Sequence, residues 1–180
     1  MSSALSKDKR ILAIDPAGRG FGFAVLEGPG SLIDWGVRGA KARSHVQAIG
    51  HLEELVDCYG PDVIVTQRID DPEVHRGFRA QAFLREALKV SAAYKIPVRT
   101  IASRELVRAF SDLGYPTKHK IATRIGELFP ELAPRVPPFR KPWMSEDYRM
   151  AIFDAVAFGL AYFRRGRPRP VEAGLTDLAA

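Results

Sequence analysis

The sequence predicts an α/β fold: a mixed five-stranded sheet, with three antiparallel strands first, parallel strands after them, and helices on both faces. Apolar strand patterns separated by glycine-rich turns fill residues 11–37, which is typical of a β-meander. After residue 44, helix and strand patterns alternate, as they do in βαβ units. The length of 180 residues favours one domain with a sizeable core.

Each strand follows from a short apolar run bounded by turn residues. The first three are separated by Gly18-Arg-Gly20 and Gly28-Pro-Gly30, and the fourth follows Gly60-Pro61. The fourth run is apolar throughout, which is typical of a central strand. The predicted strands cover residues 11–15, 21–27, 31–37, 62–67 and 96–101.

The helices follow from apolar residues at helical spacing and from residues that start or stop helices. Ser103, Thr117 and Ser145 are predicted N-caps, whereas residues 132–143 contain four prolines and predict an irregular loop. The predicted helices cover residues 44–59, 78–94, 103–110, 117–129 and 145–163. One domain therefore spans residues 11–163, between a flexible N-terminus at 1–10 and a basic flexible tail at 164–180.

The distribution of charge favours a polyanionic partner such as nucleic acid. The net charge is +6. Residues 134–170 account for +5 of it, because they contain eight cationic and three acidic residues. A solvated face with a charged tail is the alternative explanation. A single cysteine excludes a disulfide framework and a cysteine-rich zinc site. No apolar run is long enough for a membrane span, and residues 1–10 lack a signal core, so we expect a cytoplasmic protein without membrane contact.

Asp15 is the first candidate metal ligand. It follows four apolar residues, so a rigid strand would hold its carboxylate at the edge of a buried sheet, where it could bind a divalent cation. Asp-Pro-Ala-Gly is also an ordinary turn sequence, and that alternative stays open. The alternating glycines 18, 20 and 22 suggest close approach by a ligand. A dinucleotide site is disfavoured, because the glycines lead into a strand rather than a helix.

Three motifs in this order resemble RuvC-type Holliday junction resolvases of the RNase H-like superfamily. They are Ile14-Asp-Pro-x-x-Arg-x-x-Gly-Phe-x-Val25, Pro61-Asp-Val-Ile-Val-Thr66 and Phe153-Asp-Ala-Val-Ala-Phe-Gly-Leu-Ala161. The resemblance spans residues 11–163. It implies an RNase H-like fold and a homodimeric endonuclease for branched or structured DNA in recombination and repair. It also implies hydrolysis by a two-metal mechanism with Mg²⁺ or Mn²⁺.

The same resemblance implies which residues form the site. Resolvases of this type draw acids from the first strand, the fourth strand and the last helix, which are the positions of Asp15, Gln67 and Asp154. Gln67 stands where the family has Glu, so we expect weakened metal binding. Asp147 lies two helical turns before Asp154, about 10 Å away, and is the expected further ligand.

Other acids remain as alternatives for completing the metal site. Glu146 is the alternative to Asp147, although acids in the first turn of a helix also complement its dipole. Asp70 or Asp71, just past the fourth strand, could supply the acid that Gln67 lacks.

Several cations and one tryptophan are candidates for nucleic-acid contacts. Cations at a helix start oppose the local dipole, which a bound phosphate would explain, and a base can stack on an indole. A solvated helix end and a Trp143 packed on the last helix are the alternatives. The candidates are Arg19 in the first motif, Lys118, His119 and Lys120 at a helix start, and Arg140, Lys141 and Trp143 before the last helix.

Other functions also fit parts of the sequence. Gln67 and the basic C-terminal quarter are compatible with a non-catalytic nucleic-acid-binding protein. The opening strand also resembles the YqgF group of RNA-processing nucleases. An actin-like ATPase shares the strand-Asp-glycine turn, but 180 residues are too few for its two lobes.

Overall fold

The structure is a computed structural model that describes residues 9–39, 45–74, 77–114, 116–141 and 143–164. The predicted flexible N-terminus falls almost entirely outside these residues, as does the predicted basic tail apart from Arg164. Every predicted strand and helix has a counterpart in the structure, although several boundaries differ.

The five strands form one mixed sheet in the order β3-β2-β1-β4-β5. β1, β2 and β3 pair antiparallel, whereas β4 pairs parallel with β1, and β5 pairs parallel with β4. The predicted fold class is therefore confirmed. The strands are β1 (Arg10–Ala17), β2 (Gly20–Glu27), β3 (Leu32–Gly39), β4 (Val63–Gln67) and β5 (Val98–Ile101).

Five α-helices and two 3₁₀ helices complete the described part of the chain. The 3₁₀ helices are Ser111–Leu113 and Pro130–Arg135, and the second replaces the start of the predicted loop. None of the helices within the described ranges combines the length and apolar character that crossing a bilayer requires. The α-helices are α1 (His45–Tyr59), α2 (Phe78–Ala93), α3 (Ser103–Ala109), α4 (Lys118–Leu128) and α5 (Met150–Arg164).

Two of the three predicted N-caps are wrong. Thr117 caps α4 as predicted, because its side chain accepts a hydrogen bond from the Lys120 backbone N–H. Ser103 is instead the first residue of α3. Ser145 does not cap α5, because the helix begins only at Met150. Residues 147–149 form a turn before it, in which the Asp147 carboxylate accepts a hydrogen bond from the Arg149 backbone N–H at 3.0 Å.

The sheet separates two apolar layers, because alternate strand residues point to opposite faces. Ile11 and Ala13 of β1 face the layer that contains α5 and α4, whereas Leu12 and Ile14 face the layer that contains α1 and α2. Helices therefore cover both faces of the sheet, as predicted.

Asp15 lies in a strand and not in a turn. β1 continues through Ala17, and the antiparallel register pairs Asp15 with Gly22 and Ala17 with Gly20. The hairpin loop is therefore only Gly18-Arg19, and Gly20 has a φ of 118°, which a residue with a side chain rarely adopts. The chain then enters β2, which agrees with the exclusion of a dinucleotide site.

At Gly22 the close neighbour is α5. A Cβ atom added there would lie 2.2 Å from the carbonyl oxygen of Ala151. The missing side chain thus lets the first turn of the helix touch the sheet beside Asp15. The sequence predicts close approach by a ligand at these glycines, but at Gly22 a helix backbone occupies that space.

We expect Gly22→Ala to destabilise the protein by about 2 kcal/mol or more, because the methyl group would have to displace helix backbone rather than a movable side chain. Urea unfolding monitored by circular dichroism measures the change. Gly50→Ala in α1 is the matched control, since a Cβ there meets nothing within 4 Å. The control should be neutral or stabilising by up to about 1 kcal/mol. Equal effects of the two substitutions would contradict the packing argument.

Candidate functional site

Asp15 and Gln67 lie side by side at the ends of neighbouring parallel strands. The β1–β4 register runs from Ile11–Val63 to Ile14–Thr66, so the next positions along are Asp15 and Gln67. Asp15 lies on the same face of β1 as Ile11 and Ala13, because every second strand residue points the same way. Gln67 pairs with Ile101, which also belongs to the α5 layer. Both side chains therefore point to the face that α5 covers. Both are buried, at 3% and 6% exposure.

A cavity of about 510 Å³ opens where the β1–β4 ladder ends. The pairing of β1 with β4 stops at Ile14 and Thr66, and Pro16, which has no N–H to donate, follows in β1. Asp15 is buried next to Pro16 and is itself not in the cavity wall. The wall includes Pro16, Gln67, Arg79, Lys118, Glu146 and Asp154.

Asp154 reaches this cavity from α5 and forms an ion pair with Lys118. The Lys118 ammonium donates to Asp154 Oδ2 at 2.9 Å and to Glu146 Oε1 at 2.5 Å. Burial alone would lower the pKa of Lys118, but the two carboxylates outweigh it and raise that pKa above its usual value. Lys118 therefore remains charged at neutral pH and places a positive charge between two acids of the cavity wall.

Asp147 does not lie on the last helix, where the sequence predicts it. Because α5 begins at Met150, Asp147 lies before the helix, and it is absent from the cavity wall. Its carboxylate accepts from the Arg149 guanidinium at 2.7 and 3.0 Å and from Arg140 at 3.3 Å. The hydrogen bond from Arg149 is the main reason why the pKa of Asp147 is lowered to about 2. These contacts give Asp147 a structural role, and its role as a metal ligand stays a prediction.

Asp70 and Asp71 differ as substitutes for the missing strand acid. Asp70 is exposed, and neither residue is in the cavity wall. Asp71 is buried and accepts from the backbone N–H and hydroxyl of Ser103 at 2.6 and 2.9 Å, so it holds the start of α3. Burial raises the pKa of Asp71, but hydrogen bonds from Ser103 and from the Glu73 backbone outweigh it and lower the pKa.

The predicted nucleic-acid contacts are spread over the surface around the cavity. Lys118 is in the cavity wall, whereas His119 and Lys120 line a second, smaller cavity of about 240 Å³ beside α4. Arg19 is exposed in the β1–β2 hairpin loop, outside both cavity walls.

The segment before α5 carries the remaining three candidates. Arg140 contacts Asp147, and the Lys141 ammonium lies 5.2 Å from the centre of the exposed Trp143 ring. The alternative in which Trp143 packs on the last helix is therefore wrong, since the side chain is 78% exposed.

The sequence does not identify two of the cavity residues. Nothing in the local pattern distinguishes Arg79, near the start of α2, from other surface cations. The predicted helix from residue 145 favours Asp147 over Glu146, but α5 begins only at Met150. Arg79 and Glu146 line the cavity together with Gln67 and Asp154.

The donor set suits one hard cation better than two. Within the described ranges, no three His, Cys, Asp or Glu side chains are grouped so that they could hold a metal ion. Asp15 and Gln67 nevertheless point to the sheet face that α5 covers, and Asp154 of α5 lines the same cavity as Gln67. Mg²⁺ is commonly held by one or two carboxylates, with water and substrate phosphate completing its octahedron.

Comparison with known proteins gives a clear result for structure and none for sequence. No family model matches the chain, and no curated protein matches it in sequence. A structure of Thermus thermophilus RuvC has 16% sequence identity and a TM-score of 0.60, over 86% of this chain and 94% of that one. T. thermophilus RuvC in complex with a Holliday junction substrate has the same identity and TM-score, over 87% and 94% of the two chains. The yeast mitochondrial Holliday junction resolvase Ydc2 has 13% identity and a TM-score of 0.62, over 90% and 80%.

The domain therefore has the fold of RuvC-type resolvases, with the mixed sheet and flanking helices that the motifs implied. The resemblance that the sequence suggested is confirmed at the level of fold.

We expect Asp147→Asn to lower the free energy of unfolding by about 1 to 2 kcal/mol near neutral pH, because the paired carboxylate is ionised more readily in the folded chain than in the unfolded one. Because the pKa is lowered in the folded chain, the stabilisation by ionised Asp147 is fully present above about pH 4. This stabilisation is lost as the pH falls towards 2. Urea unfolding between pH 3 and 7 should show the difference from the unchanged protein shrinking on acidification.

Asp112→Asn is the control for this prediction, because Asp112 also pairs with an arginine, Arg124, but is more than half exposed, and it should cost under about 0.5 kcal/mol. An Asp147→Asn protein of unchanged stability that has lost DNA cleavage would instead favour the metal-ligand role.

Proposed function

We propose that this protein is a divalent-cation-dependent endonuclease that hydrolyses phosphodiester bonds in branched or otherwise structured DNA. The observation that carries the proposal is that Gln67 and Asp154 line one cavity and that Asp15 lies beside Gln67 on the neighbouring strand, in a fold shared with RuvC-type resolvases. We further propose that it acts in the cytoplasm in DNA recombination and repair.

Asp15 and Asp154 would hold Mg²⁺ or Mn²⁺, with Gln67 offering a neutral oxygen. A divalent cation bound there supplies an activated water and compensates the charge that develops on the phosphate. The residues of the chain supply the positioning. Lys118 and Arg79, both in the cavity wall, are placed to contact phosphate oxygens of a strand that enters the cavity.

The number of metals depends on a further acid. The two-metal mechanism implied by the sequence resemblance needs more carboxylate than Asp15 and Asp154 provide. Glu146 lines the cavity but contacts Lys118, and Asp147 is held by two arginines. Asp154 also contacts Lys118, so a first cation held by Asp15 and Asp154 would have to displace that ammonium. A second cation would bind only after Glu146 or Asp147 leaves its partner.

A non-catalytic nucleic-acid-binding protein is the second candidate, and two observations favour it. Gln67 supplies no negative charge at the strand position, and Lys118 places a positive charge beside Asp154, so both residues oppose cation binding. Binding of DNA by the cationic surface would persist without cleavage.

We also propose a homodimer, since a four-way junction presents two symmetric strands. α2 could contribute to the interface, because Phe78 and Leu88 remain exposed on this helix. Sedimentation of the full chain at several concentrations measures the oligomeric state.

We expect Asp15→Asn and Asp154→Asn to reduce cleavage more than 100-fold, because each removes a charged ligand from the cation. The assay offers junction, flap, single-stranded DNA and RNA substrates with Mg²⁺ or Mn²⁺. Glu131→Gln is the control, because Glu131 is exposed in a 3₁₀ helix outside both cavity walls. Cleavage of RNA alone would favour the YqgF-like alternative. Cleavage that survives both substitutions would exclude the proposed site.

We expect Gln67→Glu to lower the Mn²⁺ concentration that gives half-maximal cleavage by about tenfold, because it restores a carboxylate beside Asp15. Titration of Mn²⁺ in the cleavage assay, together with calorimetric binding of Mn²⁺ to the free protein, measures the shift. Gln47→Glu, at an exposed position of α1 outside both cavity walls, is the matched control. No gain in Mn²⁺ affinity would count against Gln67 as part of the cation site.

A further inference from the structure

Three large aromatic side chains are exposed within the eleven residues before α5. Phe139, Trp143 and Tyr148 are 72, 78 and 66% exposed, and together they define the aromatic segment. The other tryptophan, Trp35, is half-buried beneath the Arg135 guanidinium. Neighbouring exposed aromatics at this density are uncommon on a surface that faces only water, and they indicate a binding surface.

The backbone that carries the aromatic segment is held in place. The Arg140 guanidinium donates to the Ser145 carbonyl oxygen at 2.9 Å and to Asp147 at 3.3 Å, which closes the chain around Trp143. The His119 ring contacts Phe139 edge-on, with 5.6 Å between ring centres. A ligand that stacks on these rings therefore meets a surface whose backbone is already positioned, which lowers the entropy cost of binding.

The charges around the aromatic segment favour nucleic acid over a purely apolar partner. The Lys141 ammonium lies over the Trp143 ring. Arg140 follows Phe139 in the chain, and Lys118 donates to Glu146, which lies between Trp143 and Tyr148 in the sequence. Aromatic faces interleaved with cations are what single-stranded nucleic acid requires, since bases stack on the rings while phosphates meet the cations.

The aromatic segment borders the cavity. Glu146, between Trp143 and Tyr148, lines the cavity wall and accepts from Lys118, whose neighbour His119 contacts Phe139. A strand with a phosphate in the cavity would thus bring its adjoining nucleotides to these rings. Bases within a duplex are already stacked on one another, so only unpaired bases offer a free face.

We propose that the aromatic segment stacks on unpaired bases next to the phosphate in the cavity, and so selects DNA with unpaired nucleotides at a branch point. This inference rests on the proposed function, because it takes DNA as the substrate of the cavity. It adds a basis for recognition that is independent of the metal.

Binding measurements on two matched flap DNAs test the inference. One flap carries normal unpaired bases and the other carries abasic sites at the same unpaired positions, so the phosphates are identical. The protein is the full chain with Asp15→Asn, which prevents cleavage, and fluorescence anisotropy measures Kd at one fixed salt concentration.

We expect Trp143→Ala to weaken binding of the normal flap about tenfold and to leave binding of the abasic flap unchanged. Trp143→Phe should retain most of the affinity, because it keeps an aromatic face. Arg79→Gln is the matched control, and it should weaken both flaps equally, because Arg79 lies in the cavity wall and is placed to contact phosphate rather than a base.

Several outcomes would overturn the inference. They are equal loss on both flaps with Trp143→Ala, no loss on either, or no binding of the normal flap. A shift from dimer to monomer on Trp143→Ala, seen in sedimentation, would identify the aromatic segment as a contact between copies of the chain. Base-dependent binding with no cleavage of any substrate by the unchanged protein would overturn the proposed nuclease activity and leave this inference standing.

Discussion

The close contact between α5 and β2 at Gly22 is the constraint on which the candidate site depends. Gly22 pairs with Asp15 across the sheet, so the first turn of α5 touches the sheet beside that carboxylate. Asp154 follows Ala151 by one turn and is carried to the cavity where β1 and β4 end. A side chain at Gly22 would push this turn away from the sheet, and the acids of strand and helix would separate.

The cavity contains a cation as well as carboxylates, so it differs from a site built of carboxylates alone. Buried carboxylates are costly unless a cation compensates them. For Asp154 that cation is the Lys118 ammonium, which Glu146 also contacts. The fold therefore does not depend on a divalent ion to offset the charge of Asp154. With a neutral Gln67 on the neighbouring strand, the cavity attracts cations less strongly than three carboxylates would, and phosphates more strongly.

Two buried acids near the site, Asp147 and Asp71, have structural roles that follow from their hydrogen-bond partners. Asp147 is held by two arginines in the turn before α5, and Asp71 holds the start of α3. Both sets of hydrogen bonds keep the acids ionised and order the chain around the cavity. The Arg140–Asp147 pair also holds the backbone that displays Trp143. The same ion pair thus connects the start of α5 with the proposed stacking surface for bases.

The sequence by itself determined the order of strands and helices, the position of Asp15 at the end of an apolar strand, and the position of Asp154 among the apolar residues of the last helix. These features depend on local hydrophobic periodicity, which is readable without the fold. The tertiary structure alone decided that α5 begins after Asp147, that Glu146 rather than Asp147 lines the cavity, and that Lys118 pairs with Asp154. The physical reason is that helix starts and ion pairs depend on which side chains meet across the fold. Spacing along the chain carries no information about partners that lie 28 or 36 residues away.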